Sequence, residues 1–212
     1  MAADCYATVL KSGYESAGIY YNLGNAYYKT DDMARAILYY EKALLLQPGD
    51  EDIRQNLALA NQQIIDKIDV IPSFFLKRWI NSLKGMLSPN QWAIACLILF
   101  AVSLSGFALF FLSNNIGIKK AGFSAGVVVL LITITGMVLM YSLIHEIQKH
   151  NAAIIMAPSV NARSSPDEQS TNVFVLHEGT RVMITDSVQQ WKEIRLANGN
   201  KGWIPGEALE EI

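Results

Sequence analysis

Three blocks of different texture predict a multi-domain membrane protein: paired α-helices first, a two-helix apolar hairpin next, and a small all-β barrel last. The helical block shows small and aromatic residues recurring at helical spacing, the middle block has two long runs without charge, and the last block alternates short β-rich runs with turn residues. The totals agree. Of 212 residues, 51% are hydrophobic and 17% charged, against about 25% charged in an ordinary soluble domain. The apolar excess lies between Trp92 and Leu143.

The helical block is assigned to residues 1–70. Its clearest part is "YYNLGNAYYKTDDMARAILYYEKALLLQP", where Tyr20, Leu23, Gly24, Tyr27, Ala36, Tyr40, Ala43 and Pro48 hold fixed positions. Gly24 and Ala36 allow close helix approach, and the aromatics fill the space between helices. Asp32 is placed to cap the second helix and Pro48 to end it. This pattern resembles the tetratricopeptide repeat, with one complete repeat over residues 17–50.

Half repeats flank it. Ala2, Tyr6 and Val9 fall 34 residues before Ala36, Tyr40 and Ala43. Downstream, Asp50 can cap a helix carrying Ile53, Leu57, Ala60 and Ile64 on one face, and Glu51 and Asp52 suit its N-terminal dipole. A chain that begins halfway through a repeat carries the expectation that a longer protein has been shortened at its N-terminus. "AADCYATVL" lacks the basic start, apolar run and cleavage site of a signal peptide. By resemblance to the family, Tyr21, Asn25, Tyr28, Lys29 and Asn56 line a concave face where asparagines could hold an extended peptide. Ordinary repeat surface is the competing reading.

"WAIACLILFAVSLSGFALFFL" (residues 92–112) has no charge over 21 residues. At about 1.5 Å per residue it can cross a hydrocarbon core of about 30 Å. A second such run covers residues 121–143. The connector "SNNIGIKK" allows only a tight turn, so the spans form an antiparallel hairpin. Gly122 and Gly126 would let helices pack closely, serving the hairpin itself. No Asp, Glu, Arg or His lies within the runs or between them, which argues against a pump or transporter. Residues 73–90 read as an interfacial amphipathic helix. Leu76, Trp79, Ile80, Leu83 and Leu87 form its apolar stripe, with Lys77, Asn81 and Lys84 on the other side.

From residue 152 to 212, "AAIIMAP", "VFVLH", "RVMIT", "WKEIRL" and "KGWIP" alternate with turn stretches. Asn198-Gly199 is a strong hairpin signal. Val160-Asn161-Ala162-Arg163 with Pro166, Glu178-Gly179-Thr180, Trp191, and Lys201-Gly202-Trp203-Ile204 resemble the bacterial SH3-like domain. Relatives often recognise cell-wall peptides, so peptidoglycan is an implied ligand. Trp191 and Trp203 read as barrel core first and ligand platform second. Proline-rich peptide binding finds no support.

Chemistry is sparse. His145 and His150 do not share a helical face, His177 lies in a strand, and Cys5 and Cys96 have no base beside them. No nucleophile motif, metal spacing or phosphate loop occurs, so neither catalysis nor a cofactor nor a metal is expected. Residues 1–71 hold six Lys/Arg against ten Asp/Glu, and residues 144–212 hold six against nine. Acidic ends argue against a nucleic acid partner. The other five basic residues flank the apolar runs, where lipid headgroups favour them.

The order of modules, with "DKIDVIPSFFLKRW" after the repeats, resembles the BatE proteins of the Bacteroides aerotolerance operon. The resemblance implies an inner-membrane scaffold in an envelope complex with sister Bat proteins that carry von Willebrand A-type domains. Two spans place both termini on one side. Lys77, Arg78, Lys84 and Lys149 against Lys119 and Lys120 favour the cytoplasm for them. The SH3-like domain and the family's export signal favour the periplasm, which is the expectation adopted.

Overall fold

The computed structural model of the protein describes residues 2–68, 74–149 and 151–212. The end of the expected repeat region (residues 69 and 70), Ser73 of the expected interfacial helix and His150 lie outside these. So do the side chains of Ala2 and Lys77. The chain forms two compact units.

The first unit joins the N-terminal helices to the C-terminal sheet. Helices α1 (Ala2–Lys11), α2 (Ala17–Lys29), α3 (Met33–Leu46) and α4 (Glu51–Asn61) follow one another. The expected caps are in place: Asp32 accepts from the Arg35 N–H, and Asp50 from those of Asp52 and Ile53. Ser16 caps α2 in the same way. A Cβ on Gly24 would lie 2.6 Å from the Tyr40 ring, so glycine sets how closely α2 and α3 approach.

Seven strands follow: β1 (Ala152–Ile155), β2 (Ser159–Arg163), β3 (Asn172–His177), β4 (Arg181–Val188), β5 (Trp191–Arg195), β6 (Lys201–Pro205) and β7 (Leu209–Glu211). They form one antiparallel sheet in the order β3-β2-β6-β5-β4-β1-β7. Among the described residues the expected barrel is therefore not closed by strand pairing, and β3 and β7 are its edges. Gly199 adopts φ +88° in the β5–β6 turn, as the Asn-Gly signal requires.

The two parts of this unit share a core. Ala153 and Ile155 pack with Ala162, Leu176, Val182, Ile194 and Ile204 inside the sheet. Ile154 points the other way and is fully buried with Ile37, Tyr40 and Ala60 of the helices, together with Ile212. Strand β1 is thus apolar on both faces, because a strand sends successive side chains to opposite sides. The second helix that would complete the α4 repeat is replaced by a sheet, which covers the exposed apolar flank of α3 and α4.

The second unit covers residues 79–148. Helices α6 (Pro89–Leu112) and α7 (Ile116–Gln148) are long and apolar enough to cross a membrane. Only 11% and 17% of their most apolar windows are buried. The connector is shorter than expected, since α7 already begins at Ile116. Gly106 faces Gly122 and Gly126, and a Cβ there would meet the Gly122 carbonyl oxygen at 2.9 Å. Buried Ser103 donates to the Gly126 carbonyl at 2.9 Å.

Helix α5 (Phe75–Lys84) is shorter than the expected 73–90. Leu76 and Trp79 are exposed, while Ile80, Leu83 and Leu87 are half-buried. One expectation needs correction. Lys84 does not turn its ammonium to the outer polar side. It is buried and donates to Glu146 of α7 at 2.7 Å, while its carbonyl accepts from the Trp92 indole at 3.3 Å. A carboxylate 62 residues further along captures it.

Candidate protein-interaction surfaces

Four of the five predicted groove residues converge on the face shared by α2 and α4. The Tyr40 hydroxyl donates to Asn25 Oδ1 at 2.7 Å, and Asn56 Nδ2 donates to the same oxygen at 3.0 Å. Asn56 Nδ2 also donates to the Tyr21 hydroxyl at 3.0 Å. Beside them the Tyr28 hydroxyl accepts from Gln63 Nε2 at 3.0 Å. Lys29 remains exposed at the rim of a recess of about 150 Å³ lined by Asn25, Tyr28, Lys29, Tyr40, Asn56 and Leu59.

This network fixes which way the amides point. Burial, then the neighbouring Tyr21 and Tyr28, push the Tyr40 phenol up to about 12, so it stays a donor at neutral pH. Asn25 Oδ1 is occupied by two donors, and both Asn56 amide hydrogens have acceptors. Asn25 Nδ2, a donor, and Asn56 Oδ1, an acceptor, are left outside these bonds. A donor and an acceptor held side by side match the carbonyl and N–H of an extended peptide. Asn25 and Asn56 lie 31 residues apart, brought together because α2 and α4 occupy equivalent positions in successive repeats.

On the sheet, Trp191 is buried at the start of β5, with the Arg163 guanidinium 6.0 Å from its ring centre. Trp203 is half-buried on β6, opposite Glu193 and Arg163. The two indoles therefore occupy different environments. Trp203 alone offers part of its ring to solvent.

A third feature was not legible locally: the polar fastening between helices and sheet. The Asp66 carboxylate accepts from the backbone N–H of His177 at 2.7 Å and from the Thr180 hydroxyl at 2.7 Å, and lies 2.8 Å from His177 Nδ1. Burial works against its charge, but the His177 N–H, the His177 ring and the Thr180 hydroxyl outweigh it and hold the carboxyl below its ordinary range. Glu41 pairs with Arg181 at 3.2 Å, and Lys42 with Glu210 at 3.8 Å. Burial pushes the Glu41 carboxyl up, and Arg181 offsets this only in part. Gly179 seals the joint. Its φ of +83° suits glycine, and a Cβ would lie 2.5 Å from the Ile64 side chain. Asp66 and its donor partners are 111 and 114 residues apart, so no local spacing announces them.

Comparison with known families accounts for the two ends of the chain. Residues 17–50 match the tetratricopeptide repeat, and residues 158–210 match the bacterial SH3 domain. No curated protein matches the chain.

Proposed function

We propose that the protein is a membrane-anchored scaffold that acts without catalysis, holding a partner protein through its tetratricopeptide face. The observation that carries this reading is the network in which Tyr40 and Tyr21 fix the Asn25 and Asn56 amides and leave Asn25 Nδ2 and Asn56 Oδ1 unused. A site of this kind recognises the backbone of an extended segment, while Lys29 adds preference for acidic side chains. The apolar hairpin anchors the scaffold in the bilayer, and the aromatic face of α5 rests at the headgroup level.

The order of modules supports membership of the BatE group, an inner-membrane location with both termini in the periplasm, and an aerotolerance complex with von Willebrand A-type Bat proteins as partners. The test is quantitative co-purification of the full-length protein from membranes in mild detergent. Asn25→Ala and Asn56→Ala should each deplete the same set of membrane proteins. Retention of every partner by the doubly substituted protein would refute the groove reading.

The bacterial SH3 match and the half-open Trp203 favour a second reading, in which the sheet binds peptidoglycan. Co-sedimentation of the full-length protein with purified sacculi tests it. Trp203→Ala should abolish sedimentation while leaving the thermal transition in place. Sedimentation that persists removes Trp203 as a ligand platform.

A further inference from the structure

We propose that the open edge of β3, with the trough beside it, is a second peptide site. It would take an extended strand that ends in, or carries, a carboxylate. The two edges of the sheet are managed differently. Strand β7 has three residues, two of them glutamates, and Lys42 of the helical part pairs with Glu210. Short, charged edges of this sort resist pairing. Strand β3 has six residues, "NVFVLH", without proline or lysine, and Val173 and Val175 are 54% and 48% exposed.

Among the described residues, the backbone of that edge is open for pairing. The His177 N–H points away from β2 and is taken by Asp66. Strand residues two apart turn their amides the same way, so Val175 presents its N–H and C=O outward beyond Asp66, before the register shift opposite Ala162 and Arg163 interrupts the alternation. Asp66 thus occupies the first pairing position and leaves the N–H and C=O of the next. An added strand would satisfy them by main-chain hydrogen bonds.

Next to the edge runs a trough made possible by the fastening of sheet to helices. One recess of about 270 Å³ lies between Ile65–Ile68 and Phe174–Leu176 and reaches Asn198 and Asn200. It shares Asp66, Lys67, Ile68 and Leu196 with a larger cleft of about 540 Å³. That volume is in the range of ligand sites, which favour domain junctions. The cleft floor is apolar, from Ile64, Val182 and Leu196, and its charged lining is Glu41, Asp66, Lys67, Arg181 and Arg195. Both carboxylates are already engaged, Glu41 by Arg181 and Asp66 by three donors. Lys67 covers the carbonyls at the end of α4, and Arg195 is exposed. The cleft lining carries three cations against two carboxylates, a positive balance that selects a carboxylate as the group at the end of the strand.

The test uses the full-length protein in detergent and a fluorescein-labelled probe, Thr-Val-Thr-Val-Thr-Glu with a free C-terminus, read by anisotropy. Saturable binding is expected. Val175→Pro removes an outward N–H at an edge position that tolerates proline and should weaken binding about tenfold. Arg195→Glu should weaken it about tenfold as well, and an amidated probe ending in Gln should lose affinity for the wild type but not for Arg195→Glu. Circular dichroism confirms that each variant is folded. Absence of saturable binding, or equal binding by wild type and Arg195→Glu, overturns the proposal. It is also overturned if the probe does not bind and Val175→Pro converts a dimer to a monomer by light scattering, because the edge then pairs with a second copy.

Discussion

The repeat–sheet unit and the hairpin unit solve the same packing problem with opposite residues. In the first, large side chains go inward: Tyr40, Leu23, Ile37, Leu38, Ile154 and Ile194 are fully buried. In the second, small residues go inward. Gly122, Gly126, Thr133 and Gly136 of α7 are buried, while Leu97, Phe111, Leu131, Val138 and many like them face out. Their spacing of three, four and seven is that of a helix pair meeting along one seam. Such an inversion suits helices long and apolar enough to cross a membrane, because in a hydrocarbon solvent apolar side chains gain nothing by leaving the surface and backbones gain van der Waals contact by approaching. The comparison also explains why the repeat region needs the sheet. An aqueous unit must cover its apolar flank, and β1 does so for α3 and α4.

The sharpest way to break this comparison is to cut the shared core of the first unit. Ile154→Ala removes a side chain that belongs to the sheet by position and to the helices by packing. The expected loss is about 3–4 kcal/mol, within the usual range for a buried isoleucine. Urea unfolding, followed by the tyrosines of α2 and α3 and by Trp191, should show both probes moving together. Two separate transitions, with only the Trp191 transition shifted, would mean that sheet and helices are merely neighbours.

The hairpin counterpart is Gly106→Ala. Its new Cβ would sit 2.9 Å from the Gly122 carbonyl oxygen and 3.1 Å from Gly126 Cα, and both are backbone atoms that cannot swing aside. Overpacking of this kind costs about 1–3 kcal/mol. Cysteine cross-linking across the seam, in micelles, should fall in the variant. An unchanged yield would show that the close approach of α6 and α7 is not what holds the pair.

What was legible follows from the range of each interaction. The caps at Asp32 and Asp50, the Gly24 approach and the Asn-Gly turn act within a few residues or one repeat, and the sequence displays them as spacing. The unbroken run "AAII" of β1 also carries a signal, because a strand buried on one face alternates and one buried on both does not. The pattern alone predicts an ordinary barrel strand and does not show that Ile154 and Ile155 enter two different cores. Asp66 with His177, Glu41 with Arg181, and Lys84 with Glu146 join residues far apart in the chain. The helical wheel that placed Lys84 on the outer polar side was correct about the helix and blind to α7. The facing of Asn25 and Asn56 was legible from repeat register, but the orientation of their amides required the hydroxyls of Tyr40 and Tyr21.

Acid sharpens the comparison further, because the first unit is fastened by a carboxylate held below its ordinary range. Asp66 is held below its ordinary 3.8. Its stabilisation is therefore complete above pH 3.8 and fades as the pH falls through its folded value. Glu41 is held above its ordinary 4.5, so it works in the opposite sense, its contribution being complete below pH 4.5 and fading as the pH rises. Asp66→Asn should destabilise the unit by about 1–3 kcal/mol near neutral pH, through donors left poorly satisfied. That deficit should shrink as the pH drops below 3.8. Urea midpoints at several pH values measure it, and a deficit that stays constant would assign the effect to shape instead of charge.

The smallest effect is expected from a buried hydroxyl in the hairpin. Ser103 is 1% exposed and donates to the Gly126 carbonyl at 2.9 Å. In the first unit, removing a buried partner strands a donor, as with His177 and Asp66. Here the Gly126 carbonyl lies within α7, where the helix ladder supplies its acceptor role with a donor, so Ser103→Ala strands nothing. The alanine is also small enough to keep the seam closed. The expected cost is about 0.6 kcal/mol, the typical worth of an interhelical hydrogen bond in a membrane protein. Ser103→Leu, which keeps the apolar character but adds bulk, should cost several times more by the overpacking that Gly106→Ala produces. Comparing the two in the same cross-linking assay separates hydrogen bonding from close approach. If Ser103→Ala were as damaging as Ser103→Leu, polar contacts would hold the hairpin as they hold the junction of helices and sheet, and the contrast between the two units would fail.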